Sequence, residues 1–435
     1  MTGTTVAGMT GTSASEGAGT NQQDAGPLVL DGLTGLTLLT DITTAPDTRP
    51  EYDRLEREWG VVAPVDMEPG VPAWLVLGHR EICEVMRNER LFSHNPRYWN
   101  GHSVLPASGT LLQVINPQGR MAADLQDGEQ RRRLREPVDD AFAGVDESAM
   151  VDSVRRQCES LVDRFADRGS ADLVWEYAAM IPMLATADLL GFDEQTSRRL
   201  VELARAVWTG GDNASSSGEE MGAIVFRHIA SRRADPRPDL TTALVQHPGF
   251  ENDLEVMNTI FAVVGAGDGY TMSWITQTLR ILLSDSRVAN RLAGGRMDLD
   301  DALDHVLWYA APSAHLSPRY ATQDVQIDGK YVRKGDALVM AVQAANTDRQ
   351  VHTEDPWDEV GNRAHLSFGT GPHSCPAPRL ARIIARVAIS TLLRRLEVRL
   401  AAEPDQIPWA PSLWARFPLS LPVTFPPPTE VAQDW

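Results

Sequence analysis

At 435 residues the chain is long enough to bury a sizeable core and a cofactor, yet within reach of one compact enzyme unit. A formal net charge of −19 argues against nucleic acid as a partner, because phosphate binding depends on clustered cations, and no run approaches the ~18 apolar residues of a membrane span. Three scattered cysteines, Cys83, Cys158 and Cys375, make neither a disulfide framework nor a CxxC zinc site, and fit a reducing cytoplasm.

Residues 1–28 begin MTGTTVAGMTGTSASEG, without a basic start or an apolar core, and read as a flexible tail rather than a signal peptide. Residues 29–435 carry no repeat or internal linker and are expected to form a single unit. Residues 73–77 (AWLVL) predict a short strand, and residues 80–87 an amphipathic helix ending near Asn88. A charged helix follows over 129–142, and helical periodicity continues over 147–168 and 173–190. Asp253–Ser284 reads as one long helix whose buried face is Leu254, Met257, Ile260, Phe261 and Val264. Its middle carries Gly265, Gly267 and Gly269, each costing on the order of 1 kcal/mol relative to Ala, so something must justify the weakness. After a helix over 301–309, strand-like pieces occupy 325–332 and 337–341, with turns at Gly329 and at Gly335-Asp336. The predicted fold class is mainly α (α+β), a helical bundle with small β-sheets.

The most informative segment is 368–382, FGTGPHSCPAPRLAR. Gly369 and Gly371 let the backbone pass close to something flat or take a conformation barred to residues that bear side chains. Cys375 then meets the start of an amphipathic helix, whose dipole favours a thiolate able to bind iron. Pro376 is expected at the first helical position, and Leu380, Ile383, Ile384, Val387 and Ala388 mark the apolar face.

This segment resembles the fingerprint of the haem-thiolate oxygenases, the cytochrome P450 superfamily: Phe-Gly-x-Gly-x-His-x-Cys-x-Gly, then Leu-Ala-Arg. Phe368, Gly369, Gly371, His373, Cys375, Leu380, Ala381 and Arg382 match, and Ala377 replaces the last Gly. The resemblance implies the cytochrome P450 fold and haem b (iron protoporphyrin IX), with Cys375 as the axial iron ligand, His373 on a propionate, and Phe368 beside the cofactor. It also makes the helix Asp253–Ser284 the distal helix, which in the family bulges beside the iron and reads Ala-Gly-x-acid-Thr-Thr. Here Ala266-Gly267-Asp268-Gly269-Tyr270-Thr271 stands instead, so Gly269 takes the acid position and Tyr270 the first Thr position. Asp268 and Thr271 lie one residue away, a rotation of about 100°. The two readings of Tyr270 are a packed aromatic and a distal residue that positions substrate or supplies a proton or electron.

A second departure lies in 301–309, where the family's Glu-x-x-Arg pair is replaced by His305 and Trp308. Both charges have left together, which apolar packing tolerates, and the chain resembles a minority actinomycete branch with degraded motifs. In the charged helix, the family's His-x-x-x-Arg propionate clamp aligns with Arg131 and Arg135, and Arg319 is a third expected donor. Arg132, Arg133 and Arg379 suggest a proximal positive patch that would steer an acidic ferredoxin, served by a ferredoxin reductase. Family analogy places the substrate walls at Tyr98, Trp99, Val263, Ala266, Ser313, Leu316, Leu413 and Trp414, with His94 adding to an aromatic pocket.

The implied function is a cytoplasmic haem-thiolate oxidase or monooxygenase of bacterial secondary metabolism. It would act on an aromatic or cyclic-peptide-like intermediate, by hydroxylation or by radical carbon–carbon or carbon–nitrogen coupling. The rival from another class is a catalytically silent haem protein serving as sensor or scaffold in a signalling complex.

Overall fold

The computed structural model describes residues 28–105, 111, 115, 121–209, 214–352, 357 and 360–426, so the expected tail lies outside the described residues except for Leu28. The helices are α1 (Leu39–Thr44), α2 (Arg49–Trp59), α3 (His79–Arg87), α4 (Gly128–Ala143), α5 (Glu147–Asp163), α6 (Met180–Leu189), α7 (Glu194–Thr209), α8 (Ala214–Ala234), α9 (Leu240–Gln246), α10 (Asp253–Ser284), α11 (Ser286–Ala293), α12 (Leu299–Tyr309), α13 (Val342–Ala345) and α14 (Pro378–Arg395). The strands are β1 (Thr37–Leu38), β2 (Val62–Asp66), β3 (Pro72–Val76), β4 (Phe92–Ser93), β5 (Ser170–Asp172), β6 (Leu316–Ala321), β7 (Val325–Ile327), β8 (Lys330–Val332), β9 (Ala337–Met340), β10 (Arg399–Leu400) and β11 (Pro422–Thr424).

Helix starts follow local chemistry. Asp146 caps α5 by accepting the N–H groups of Ser148 and Ala149, and Asn252 caps α10 by accepting those of Leu254 and Glu255. Asp298 and Asp301 form a reciprocal capping box on α12. The principal sheet runs β1-β2-β3-β9-β6-β4 and is buried on both faces. Ala73 and Leu75 of β3 join Ala337 and Val339 of β9 in one apolar cluster, while Trp74, Val76, Leu338 and Met340 belong to another. Side chains alternate across a pleated strand, so each face carries its own core. A third and largest cluster fills the helical body formed by α5, α6, α10, α12 and α14. The mainly helical fold with small sheets is as expected.

Several boundaries and burials differ from the sequence reading. The helix after Cys375 begins at Pro378, with Ala377 as its cap, so Pro378 and not Pro376 takes the N1 role. Leu254 is 55% exposed, because a position in the first turn of α10 projects beyond the bundle before the apolar stripe meets it. Residues 147–168 break after Asp163, and 173–190 opens with a single π-helical stretch, Val174–Ala178. The helix α10 runs unbroken with no bulge.

The most consequential difference concerns the missing ion pair. Next to His305 on α12 stands a carboxylate that the sequence reading passed over, Asp304, which is only 2% exposed. Arg382 of α14 pairs with its Oδ1, and Arg363 Nε donates to its Oδ2 at 3.1 Å. A buried charge network therefore survives. Asn346 Nδ2 donates to the Leu307 carbonyl at 2.9 Å, while its Oδ1 accepts the Leu366 N–H at 2.7 Å, and the Ser367 hydroxyl donates to Leu307. These bonds moor the segment leading into Phe368 to the end of α12. Removing Arg382 strands the buried charge of Asp304, so Arg382→Met should lose about 3–5 kcal/mol in equilibrium denaturation, whereas Arg379→Ala, at an exposed pair with Glu147, should lose at most about 1 kcal/mol.

Candidate active site

The cysteine loop is held in place by its glycines. Gly369 and Gly371 have φ of 69° and 74°, and a Cβ on Gly371 would lie 2.6 Å from the Met86 carbonyl oxygen. The close approach expected from the sequence is thus to the C-terminal turn of α3. The Cys375 N–H donates to the Phe368 carbonyl at 2.8 Å, and the Ala377 N–H points at Cys375 Sγ from 3.4 Å. Burial pushes the Cys375 thiol up, against the opposing pull of the Ala377 amide and Arg135.

Beside this loop lies a set of donors short of acceptors. Arg319, on β6 next to an irregularity between Leu316 and Arg319, is 2% exposed, and its one hydrogen bond goes to the Ser317 carbonyl. No carboxylate pairs with it among the described residues, and burial pushes it down to about 9. Arg131 donates to the Pro372 carbonyl but its buried Nε has no partner; Arg135 donates to the Ser374 carbonyl at 2.9 Å and to Asp139 at 2.7 Å. His373 stacks on His94 with ring centroids 3.6 Å apart, and the Nε2 of His94 is buried without a hydrogen bond among the described residues. Burial keeps His94 well below the usual histidine range, hence neutral.

Two carboxylates that sequence reasoning missed complete this corner. Glu89 Oε1 is 3.1 Å and Asp127 Oδ1 3.6 Å from His373 Nε2. The Asp127 side chain sits at the N-cap of α4 yet turns away from it, accepting the His94 N–H at 3.0 Å and the Ser93 hydroxyl. Its place just before the charged helix was the available signal. His373 hydrogen bonding holds Glu89 below the usual range.

Glu89 and Asp127 serve the His373 side of this corner, while Arg319 and the Nε of Arg131 are left short of acceptors and suit a ligand bearing carboxylates. Together with a cysteine at the head of the loop, this donor set fits a haem whose propionates lie near Arg131, Arg319 and His373.

Across from the loop, Trp274 of α10 packs edge-on against Phe368 at 5.6 Å. Tyr270 lies one turn earlier on the same face and Ala266 another turn back, so this stripe of α10 faces the loop. Ala266 and Gly265 are exposed, and a Cβ on Gly265 or Gly267 would meet nothing within 4 Å, so the glycines leave this face bare. The Tyr270 hydroxyl has no hydrogen bond among the described residues, and burial pushes it up to about 12. The Asp268 carboxyl instead turns to α6, where the Thr186 hydroxyl is 3.5 Å from Oδ1 and Oδ2 has no partner. It borders a small, chiefly apolar cavity with about 40 Å³ of water-accessible space, which also touches Met183, Phe192 and Ile260. Thr271 is buried.

The expected pocket residues divide. Val263 and Ala266 lie on the loop-facing helix; Ser313 bridges to Ala415, and the His315 N–H donates to the Trp414 carbonyl at 3.1 Å, bringing two expected walls together. The indole N–H of Trp414 is buried and unpartnered. Leu316 pairs in register with Met340. Trp99 and Leu413 are corrected: both are 4% exposed and packed in a core cluster with Tyr320, because the sheet demands apolar cover there. Tyr98 is 48% exposed. The proximal patch is also thinner than expected, since Arg133 is neutralised by Glu255 at 2.6 Å and Arg379 pairs with Glu147 at 2.9 Å.

The Cytochrome P450 family model matches residues 300–416, the stretch holding Asp304, Arg319 and the cysteine loop. The chain is 30% identical over 398 residues to the 2-hydroxy-5-methyl-1-naphthoate 7-hydroxylase of Streptomyces carzinostaticus, across 87% of this chain and 95% of that protein. It belongs to the cytochrome P450 family. This P450 is also 27% identical over 370 residues to the mycinamicin IV hydroxylase/epoxidase of Micromonospora griseorubida, covering 82% of this chain and 90% of that one. Among solved structures it superposes on CYP154C4 from Streptomyces sp. W2061 with a TM-score of 0.78 and 25% identity, over 90% of this chain and 98% of that one. A haem-iron cofactor and oxidoreductase activity follow from the family, and its relatives include bacterial hydroxylases and oxygenases. Among the described residues, no helix of this P450 is long and apolar enough to cross a membrane.

Burial pushes Asp268 up to about 8, so the folded protein keeps a proton that the unfolded chain releases in the ordinary carboxylate range. Stability is therefore lost as pH rises from about 4 to about 8, by at most about 1.4 kcal/mol per pH unit, and is flat above. Asp268→Asn removes this group, so its stability relative to wild type should climb across that window; parallel melting curves at several pH values test this.

Proposed function

We propose that this P450 is a haem-thiolate monooxygenase acting on a small aromatic intermediate of bacterial secondary metabolism, with residues 29–435 as one haem-binding unit. The observation that carries the reading is that Cys375 occurs together with Arg319, a buried arginine that lacks a carboxylate partner among the described residues. Haem b (iron protoporphyrin IX) supplies both an iron for the thiolate and two carboxylates for the donors. Bound there, it supplies oxygen activation and one-electron chemistry.

The chain's own residues then have distinct duties. Cys375 would ligate iron, with the Ala377 amide moderating charge on its sulfur. Arg131, Arg135, Arg319 and His373 would hold and orient the propionates, and Phe368 with Trp274 would exclude water from the proximal edge. Tyr270, protonated at neutral pH, would offer a hydrogen bond to substrate at the bare face of α10, where Gly269 leaves room. Asp268 would keep a proton near neutral pH and accept the Thr186 hydroxyl on the side of α6, with Thr271 packed behind the face. Val263, Ala266, Ser313, Leu316 and Trp414 would line the substrate, the Trp414 indole N–H seeking a substrate acceptor. Tyr98 would meet it only at the rim. The aromatic substrate class is supported by the naphthoate hydroxylase relative.

Electrons would come from a ferredoxin and its reductase, docking on the proximal side near the exposed Arg132. A cytoplasmic location suits these partners. A second reading, radical coupling of two held aromatic rings without oxygen insertion, is favoured by one observation: Tyr270 occupies the loop-facing stripe where the family places its Thr.

Reduced protein with carbon monoxide should show the thiolate-type Soret band, and Cys375→Ala should abolish it; a wild-type band without thiolate character would refute the assignment. Product mass then separates the readings, one oxygen gained for hydroxylation against hydrogens lost with coupling. Tyr270→Phe should lower turnover or change the product ratio, and unchanged products would reduce Tyr270 to packing.

A further inference from the structure

The helix α10 has a second side that the haem reading leaves idle. Asp268 lies two residues from both Ala266 and Tyr270, about 200° around the helix, so it faces away from the loop-facing stripe. Ile260, Val264 and Asp268 recur every fourth residue and form one wall of the cavity beside α6. The helices α7 and α8 close it with Leu200, Ala204 and Val225. Among the described residues, Asp268 is the one ionisable side chain that lines it. Ser197, the other polar residue there, spends its hydroxyl on the Asp193 carbonyl at 2.8 Å.

A buried carboxyl is ordinarily met by hydrogen-bond donors, yet Asp268 is 3% exposed and its Oδ2 has none among the described residues. Water is a poor partner for it, because an ordered buried water wants about two to four polar contacts and these walls offer one carboxyl. The space itself is about 40 Å³ by the measure on which one water takes about 10–15 Å³, so an organic molecule of roughly three to five heavy atoms fits.

We propose that the cavity between α6, α7, α8 and α10 is a second ligand site, taking a small neutral molecule of the ketone or alcohol class whose oxygen meets the Asp268 carboxyl and whose carbons meet the apolar walls. Charge decides the class. No Arg, Lys or His lines the cavity, so the protonated carboxyl is the cheaper form, and burial pushes Asp268 up to about 8. A protonated carboxyl donates one hydrogen bond, and a ligand oxygen accepts it. An ammonium would require two buried charges, whose desolvation cancels much of their attraction. Entry runs past Phe192, whose ring borders both this cavity and an outer cleft of about 580 Å³ and stacks on His228 at 4.0 Å. An occupant would press on the glycine-rich stretch of α10 from behind, without touching the cysteine loop.

The experiment titrates holoenzyme, without substrate or reductant, with 2-butanone and follows the melting temperature, the infrared carbonyl band of the bound ketone and the Soret band. Wild type should show a saturable rise in melting temperature, a carbonyl band moved to lower wavenumber by the hydrogen bond, and an unmoved Soret band. Asp268→Leu should lose the carbonyl shift and bind several-fold more weakly, whereas Asp268→Asn, which keeps a donor, should retain both. Ala204→Leu fills the cavity and leaves Asp268 in place, and it should abolish binding. A melting rise accompanied by a Soret shift that Asp268→Leu leaves intact would put the ketone on the haem face and overturn the site. No saturable rise in wild type, or equal binding by wild type, Asp268→Leu and Ala204→Leu, overturns it as well. The carbon monoxide band tests the haem-thiolate reading independently, so the two fail separately.

Discussion

The buried carboxylate of Asp304 is the constraint around which the proximal half is organised. A charge that is 2% exposed is tolerable only while Arg382 and Arg363 stay beside it, so α12, α14 and the segment before the cysteine loop are fixed relative to one another. The loop inherits that order. Asn346 and Ser367 tie its approach to the end of α12, and Gly371 seats its tip on the backbone of α3. Cys375 is therefore presented by a scaffold of hydrogen bonds and ion pairs rather than by its own helix alone.

The two halves of the site are built on different physics. The proximal corner concentrates charge and leaves it partly uncompensated, with Arg319 buried and the Nε2 of His94 without a hydrogen bond among the described residues. The distal face is almost featureless, since Gly265, Ala266 and Gly267 present bare helix and the one nearby carboxyl, Asp268, turns toward Thr186. A corner of donors such as Arg319 suits a cofactor bearing carboxylates, while the helix face across from it is bare beside Tyr270.

Much of the fold was legible because it depends on local pattern. The long helix from Asp253 to Ser284 has a clear cap at Asn252, the helix over 129–142 buries Leu134, Val138, Ala141 and Phe142 at helical spacing, and β3 shows the unbroken apolar run of a strand buried on both faces. The missed features are those that depend on distant residues. Asp304 looked like one acid among several in a capped helix, because its partners lie about 60 and 80 residues away in sequence. Trp99 and Leu413 read as plausible pocket aromatics and aliphatics, since residue type alone does not say which side of a sheet will claim them.

The sequence by itself determined the cofactor class: glycines, histidine and cysteine at fixed spacing in 368–382 specify a loop whose chemistry is local. It also placed Gly269 and Tyr270 where the resemblance implies an acid and a Thr, because both can be read directly. Only the tertiary structure decided which way Asp268 turns, that a buried ion pair persists through Asp304, and that Arg319 lacks a carboxylate partner among the described residues. Each depends on direction and burial, and those quantities exist only once separate segments share one low-dielectric interior.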